Sequence, residues 1–130
     1  IMPETINDTV CITVPPHQRM LKVVRLATTA AASQSGLNLD QADDVNTALD
    51  ELFRLSLSES GSERTFCLHY NICADRLEVL VEDIHASIGD KTSKVGRYRR
   101  FIIDKVVDRL EERCNTKGGF DILLVKFMSD

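Results

Sequence analysis

The segments "RTFCLHYNI" (64–72) and "RLEVLVED" (76–83) constrain the fold most, because they form a matched pair of alternating patterns. In the first, Phe66, Leu68, Tyr70 and Ile72 fall on one face of an extended chain; in the second, Leu77, Val79 and Val81 do. Successive side chains of a strand point to opposite faces, so each segment presents one apolar face and one polar face. Ala74-Asp75-Arg76 joins them tightly. Such a short connection permits an antiparallel hairpin and no crossover. The apolar face of that hairpin needs a cover, and the flanking sequence must supply it.

Helical spacing provides the cover. From His17 to Ser35, Met20, Val24, Ala27 and Ala31 recur three and four residues apart, and Gly36 predicts the stop. A second helix follows, with Asp40 as the expected N-cap and Asp43 and Asp44 near its positive end. Its stripe is Ala42, Val45, Leu49, Leu52 and Ser56. At about 100° per residue, Glu51 and Leu55 lie together at one edge of that stripe. "VCITVP" (10–15) reads as a short strand stopped by Pro15-Pro16. A loop is expected over 84–96 and a helix over 97–110, with Ile103, Val106 and Leu110 inward. Two strands near 111–116 and 120–127 turn at Lys117-Gly118-Gly119. The order β-α-α-β-β-α-β-β predicts an α+β fold: a two-layer α/β sandwich with a mostly antiparallel, mixed sheet and helices on one face.

The 130 residues suit one domain over 1–130, long enough to bury roughly two-thirds of its unfolded surface. Hydrophobic residues make up 43% and charged residues 28%, and the net charge of −4 gives no general attraction to nucleic acid or anionic membrane. No apolar run approaches the about 20 residues that span a bilayer. The first residues, "IMPETINDTV", lack the basic and apolar regions of a signal peptide, so a cytoplasmic location is expected. Cysteines 11, 67, 73 and 114 form no C-x-x-C pair, and histidines 17, 69 and 85 show no ligand spacing. Reduced, mostly buried thiols and no metal site are the expectation.

Three segments, together with the element order, carry a resemblance. "ALDELFRLSL" lies on the second helix, "DRLEVLVEDIHA" ends the hairpin, and "GRYRRFIIDKVVDRLE" opens the third helix. In order and spacing the chain resembles the histidine-kinase-like ATPase superfamily over about residues 10–127. Within it, the chain is most similar to the small anti-sigma factor serine kinases of bacterial partner-switching systems. Those proteins carry E-x-x-x-N, D-x-G-x-G and G-x-G-L at the three places.

The resemblance makes Glu51 the match for the glutamate that assists the attacking hydroxyl. It makes Leu55 the match for the asparagine that holds magnesium against the phosphates. Leucine offers no oxygen, and phosphoryl transfer depends on that metal. Asp83 matches the aspartate that contacts adenine, while His85 and Ser87 stand where glycines let the backbone approach the nucleotide. Gly96 matches the glycine-rich turn, but Arg97-Tyr98-Arg99 follow it. Residues 84–95 are too few for a full ATP lid, so water exclusion would be incomplete. Glu51 and Leu55 also read as a solvated edge residue and added core, and Asp83 as an ordinary strand-end residue.

Lys91, Lys94, Arg97, Arg99 and Arg100 form an acid-free basic run that fits a solvated loop, an acidic protein partner or a phosphate-bearing ligand. Nucleic acid is not expected there, since the aromatic residues are few and read as not interleaved with the basic ones. Met20, Val23 and Val24 either join the core or form a second surface, which in the resembling family serves the homodimer and the sigma factor. The expectation is therefore a regulatory protein-binding module of the anti-sigma type that has lost ATP binding and kinase activity. It would need no cofactor, and its partner by resemblance is a sigma factor or an anti-sigma antagonist. The alternatives are an active divergent serine-protein kinase using ATP with magnesium, drawing a metal ligand from Asp50 or Glu59, and a scaffolding subunit.

Overall fold

The hairpin forms as its alternation requires. In the computed structural model, which describes residues 8–58, 65–84 and 93–128, β2 (Phe66–Ile72) and β3 (Arg76–Ile84) pair antiparallel with Leu68 opposite Val81 and Tyr70 opposite Val79. Three further strands complete one sheet: β1 (Asp8–Val14), β4 (Arg109–Cys114) and β5 (Phe120–Phe127). The strand order is β1-β2-β3-β5-β4. Every neighbouring pair is antiparallel, so the sheet is not mixed as expected. The reason lies in the last hairpin: β5, not β4, docks beside β3, so β3 and β4, which run in the same direction, never touch.

Helices α1 (Leu21–Gln34), α2 (Leu39–Ser58) and α3 (Lys94–Val106) pack on one face. The core lies between layers, with Val24, Leu49, Leu52, Phe53 and Ile103 against Phe66, Leu68, Tyr70, Val79 and Ile122, all buried. Phe53 and Phe66 meet edge to face with centroids 5.0 Å apart. The predicted α2 stripe of Ala42, Val45, Leu49, Leu52 and Ser56 is buried throughout.

Element ends show where local chemistry overrides periodicity. Residues 18–20 form a 3-10 turn before α1, not part of it. Gly36 stops α1 as predicted, at φ 81°, with its N–H donating to the Ser33 carbonyl and that of Leu37 to Ala32. This is the paired hydrogen bonding of a Schellman ending. The cap of α2 is Asn38, not Asp40. Asn38 Oδ1 accepts the Gln41 N–H (2.8 Å) while Gln41 Oε1 accepts the Asn38 N–H (3.0 Å), a reciprocal capping box. α3 begins at Lys94 because Ser93 Oγ accepts the Gly96 N–H (2.9 Å). It ends at Val106, short of the expected Leu110. The Asp108 N–H donates to Val125, and the Asp108 carboxylate accepts the Phe127 N–H (2.7 Å). Strand pairing thereby captures Leu110, which still packs on the core, from β4. Among the described residues no helix is long and apolar enough to cross a membrane.

Candidate functional site

The position matched to a catalytic helix centres on Glu51 and Leu55 of α2. Leu55 is 6% exposed and belongs to the core. The Glu51 side chain is 12% exposed and faces two guanidinium groups. Arg54 Nη1 donates to it at 2.9 Å, one helical turn on. Arg99 Nε, buried, approaches from α3 to 3.6 Å. The ionic contact thus spans α2 and α3, and Arg99 points inward instead of joining a surface basic run. Asp50 is paired with Arg25 of α1 through two hydrogen bonds, which raise the guanidinium's hold on its proton. Glu59, the other carboxylate considered as a metal ligand, lies outside the described residues.

Asp83 sits near the end of β3, where the register with β5 shifts between Val81 and Ile84. Its φ is 57°, a left-handed conformation that aspartate tolerates better than most residues. Its N–H donates to Asp121 Oδ1 (3.0 Å), and its Oδ1 accepts from Asn115 Nδ2 (3.1 Å). Asn115 Oδ1 accepts the N–H groups of Lys117 and Gly119. A side chain at Gly119 would meet Asp83 Oδ1 at 2.5 Å, so that glycine admits the contact. Asp83 is thereby built into the β4–β5 turn.

The Gly96 amide is taken by Ser93 Oγ, so the first turn of α3 satisfies that donor internally. His85, Ser87 and Lys91 lie outside the described residues. β3 runs to Ile84 and α3 begins at Lys94, so both elements reach into the loop expected over 84–96, while Asp83 and Gly96 keep their twelve-residue separation.

The basic run divides by helical geometry. Arg99 turns inward, and Arg100 pairs with Asp104 at 3.0 Å. Lys94 and Arg97 stay exposed, in the company of Val95, Tyr98 (65% exposed) and Phe101 (58% exposed). Aromatic rings therefore do interleave with the basic residues, contrary to the sequence reading. Positions 94, 97, 98 and 101 fall at spacings of three and four, which places them on one side of α3. Lys105 Nζ lies 5.4 Å from the Phe101 centroid. On α1, Val24 is core, whereas Val23 and Leu26 are exposed; Met20, in the preceding 3-10 turn, packs on the core.

The thiols also differ from expectation. Only Cys73 is buried, and burial pushes its thiol pKa up. Cys11 and Cys114 are exposed and Cys67 is intermediate. Cys67, His69 and Glu82 bring their ligand atoms within 4.8 Å of one another on the helix-free face. The sequence signal that reveals this is C-x-H within a strand, which puts both side chains on one face, combined with the hairpin register that sets Glu82 opposite Cys67.

No family model matches the chain, and a search of the curated proteins finds no match.

Proposed function

We propose that the chain is a regulatory protein-binding module of the anti-sigma or partner-switch type, on a degenerate histidine-kinase-like ATPase fold with a shortened lid. In this reading it has lost ATP binding and serine kinase activity and works in the cytoplasm. The observation that carries the proposal is the pair at Glu51 and Leu55. The aliphatic residue is buried core, and the carboxylate is flanked by Arg54 and Arg99. Magnesium-assisted transfer needs an oxygen donor and a carboxylate open to the attacking hydroxyl. The engagement of Asp83 by Asn115 and of the Gly96 amide by Ser93 supports the same reading.

The α3 surface supplies what a partner would need. Val95, Tyr98 and Phe101 beside Lys94 and Arg97 combine exposed apolar area with positive charge. Aromatic residues and arginine are enriched where proteins bind one another. An acidic partner surface fits it, on a sigma factor or an anti-sigma antagonist. Val23 and Leu26 on α1 would serve a homodimer.

Calorimetry of the full chain with ATP and magnesium at about millimolar concentration tests the central claim. No saturable heat is expected. Saturable binding together with transfer of labelled phosphate to a serine, abolished by Glu51→Gln, would instead establish an active kinase.

A further inference from the structure

The helix-free face of the sheet brings together four side chains from three strands. Cys67 and His69, two apart on β2, project from the same side. Glu82 of β3 is paired with Cys67, and Cys11 of β1 with His69. His69 Nε2 lies 3.7 Å from Cys67 Sγ and 2.7 Å from Glu82 Oε1. His69 Nδ1 lies 2.9 Å from Cys11 Sγ. Both ring nitrogens are thus addressed, one by a thiol and carboxylate pair, the other by a second thiol.

We propose that Cys67 Sγ, His69 Nε2 and Glu82 Oε1 bind one zinc-class divalent cation, with Cys11 positioning the imidazole through its other nitrogen. Zinc takes sulfur at about 2.3 Å, nitrogen at about 2.0–2.1 Å and carboxylate oxygen at about 2.0–2.2 Å, in tetrahedral geometry. Those bonds set ligand atoms roughly 3.3–3.8 Å apart. The Sγ–Nε2 separation already meets this, and the Glu82 side chain, 41% exposed, has room to swing outward from 2.7 Å. A thiolate with an imidazole selects zinc-like ions over magnesium or calcium, which favour oxygen alone. Three protein ligands leave a fourth position for water or an external group.

Cys11 has a distinct part. A ligating histidine usually donates its second N–H to a neighbouring acceptor, which fixes the tautomer and the ring plane. Cys11 Sγ is placed to accept from Nδ1–H, leaving the Nε2 lone pair for the metal. On ligation the Cys67 thiol releases its proton to solvent. The site lies on the sheet face opposite the helices and does not rest on the reading of Glu51 and Leu55.

Cobalt(II) is the probe for the full chain, kept reduced by a non-thiol reductant, with zinc added afterwards as competitor. One equivalent of cobalt is expected to bind, giving a near-ultraviolet thiolate-to-cobalt charge-transfer band that zinc removes. Cys67→Ser should abolish the band. Glu82→Gln, a change at a half-exposed side chain that preserves shape, should weaken zinc binding at least about tenfold. Cys11→Ser should keep the band and weaken binding about 10–100-fold, the usual cost of removing an orienting partner. Cys114→Ser should behave as wild type. Absence of the band in the folded wild-type chain, its survival in Cys67→Ser, or unchanged zinc affinity in Glu82→Gln would overturn the site. Loss of about half the band in Cys11→Ser would overturn the positioning role, because Cys11 would then be a ligand.

Discussion

At the scale of single residues, the same side chain means different things in a pocket and in a core, and Leu55 and Asp83 show how to separate the two. Leu55 is 6% exposed. Leu55→Asn, which restores the residue type the resemblance implies, puts an amide among apolar neighbours and should cost about 2–5 kcal/mol. Urea denaturation measures this; a loss under about 0.5 kcal/mol, the usual surface value, would place Leu55 at an open cleft. Asp83 combines a φ of 57° with hydrogen bonds to Asn115 and Asp121. Asp83→Ala keeps the strained backbone and removes the side-chain acceptor, so a loss of roughly 1–3 kcal/mol is expected. Asp83→Asn retains an acceptor and tolerates the left-handed region, and should cost less than about 1 kcal/mol. Equal and small losses for both variants would mean the turn does not depend on Asp83.

At the scale of elements, interiors were legible in the sequence and, apart from the Gly36 stop of α1, most ends were not. The β2–β3 hairpin follows from its alternation, and the α2 stripe from its spacing, because burial enforces both periods. Ends depend on single hydrogen bonds. Leu110 fits a helix four and three residues on from Val106 and Val107, yet Asp108 binds β5 and turns the chain into a strand. The capping box at Asn38 and Gln41 competes with the acidic run starting at Asp40, and the reciprocal bonds prevail. Asn38→Ala should therefore cost about 1 kcal/mol, while Asp40→Ala stays within about 0.5 kcal/mol. The order of their urea midpoints checks the assignment, and the reverse order would restore Asp40 as the cap. Of the candidate site, the Glu51–Leu55 edge was legible from helical geometry. The inward turn of Arg99 was not, because a basic run carries no mark of which residue faces the core. The Cys67–His69–Glu82 cluster was hidden for a different reason: alternation on β2 aligns Cys67 with His69, but Glu82 of β3 joins them only through the hairpin register.

At the scale of the whole molecule, one buried polar contact ties the layers together at the β2–α1 contact. Tyr70 of β2 is fully buried, and its hydroxyl lies 2.7 Å from Thr28 Oγ1 of α1. Thr28 donates to the Val24 carbonyl (2.8 Å), so it remains free to accept from the phenol. Burial pushes the Tyr70 pKa up from the usual 10 to about 12; the Thr28 hydroxyl opposes the shift by turning to donate to the phenolate once the phenol has lost its proton. The folded state thus holds the proton more tightly than the unfolded chain does. Stability linked to this group is complete below about pH 10 and declines as pH rises toward 12, by roughly 2–3 kcal/mol in all. Tyr70→Phe keeps the ring and removes both the titration and one hydrogen bond. At pH 8 it should be about 1 kcal/mol less stable than wild type. Between pH 9 and 12 its stability should fall more slowly, so the two curves converge or cross. The difference between the two proteins cancels lysine and other alkaline titrations, which both share. Parallel curves from pH 8 to 12 would mean that the Tyr70 phenol reaches solvent without separation of sheet and helices, and that the contact between layers opens locally at Thr28.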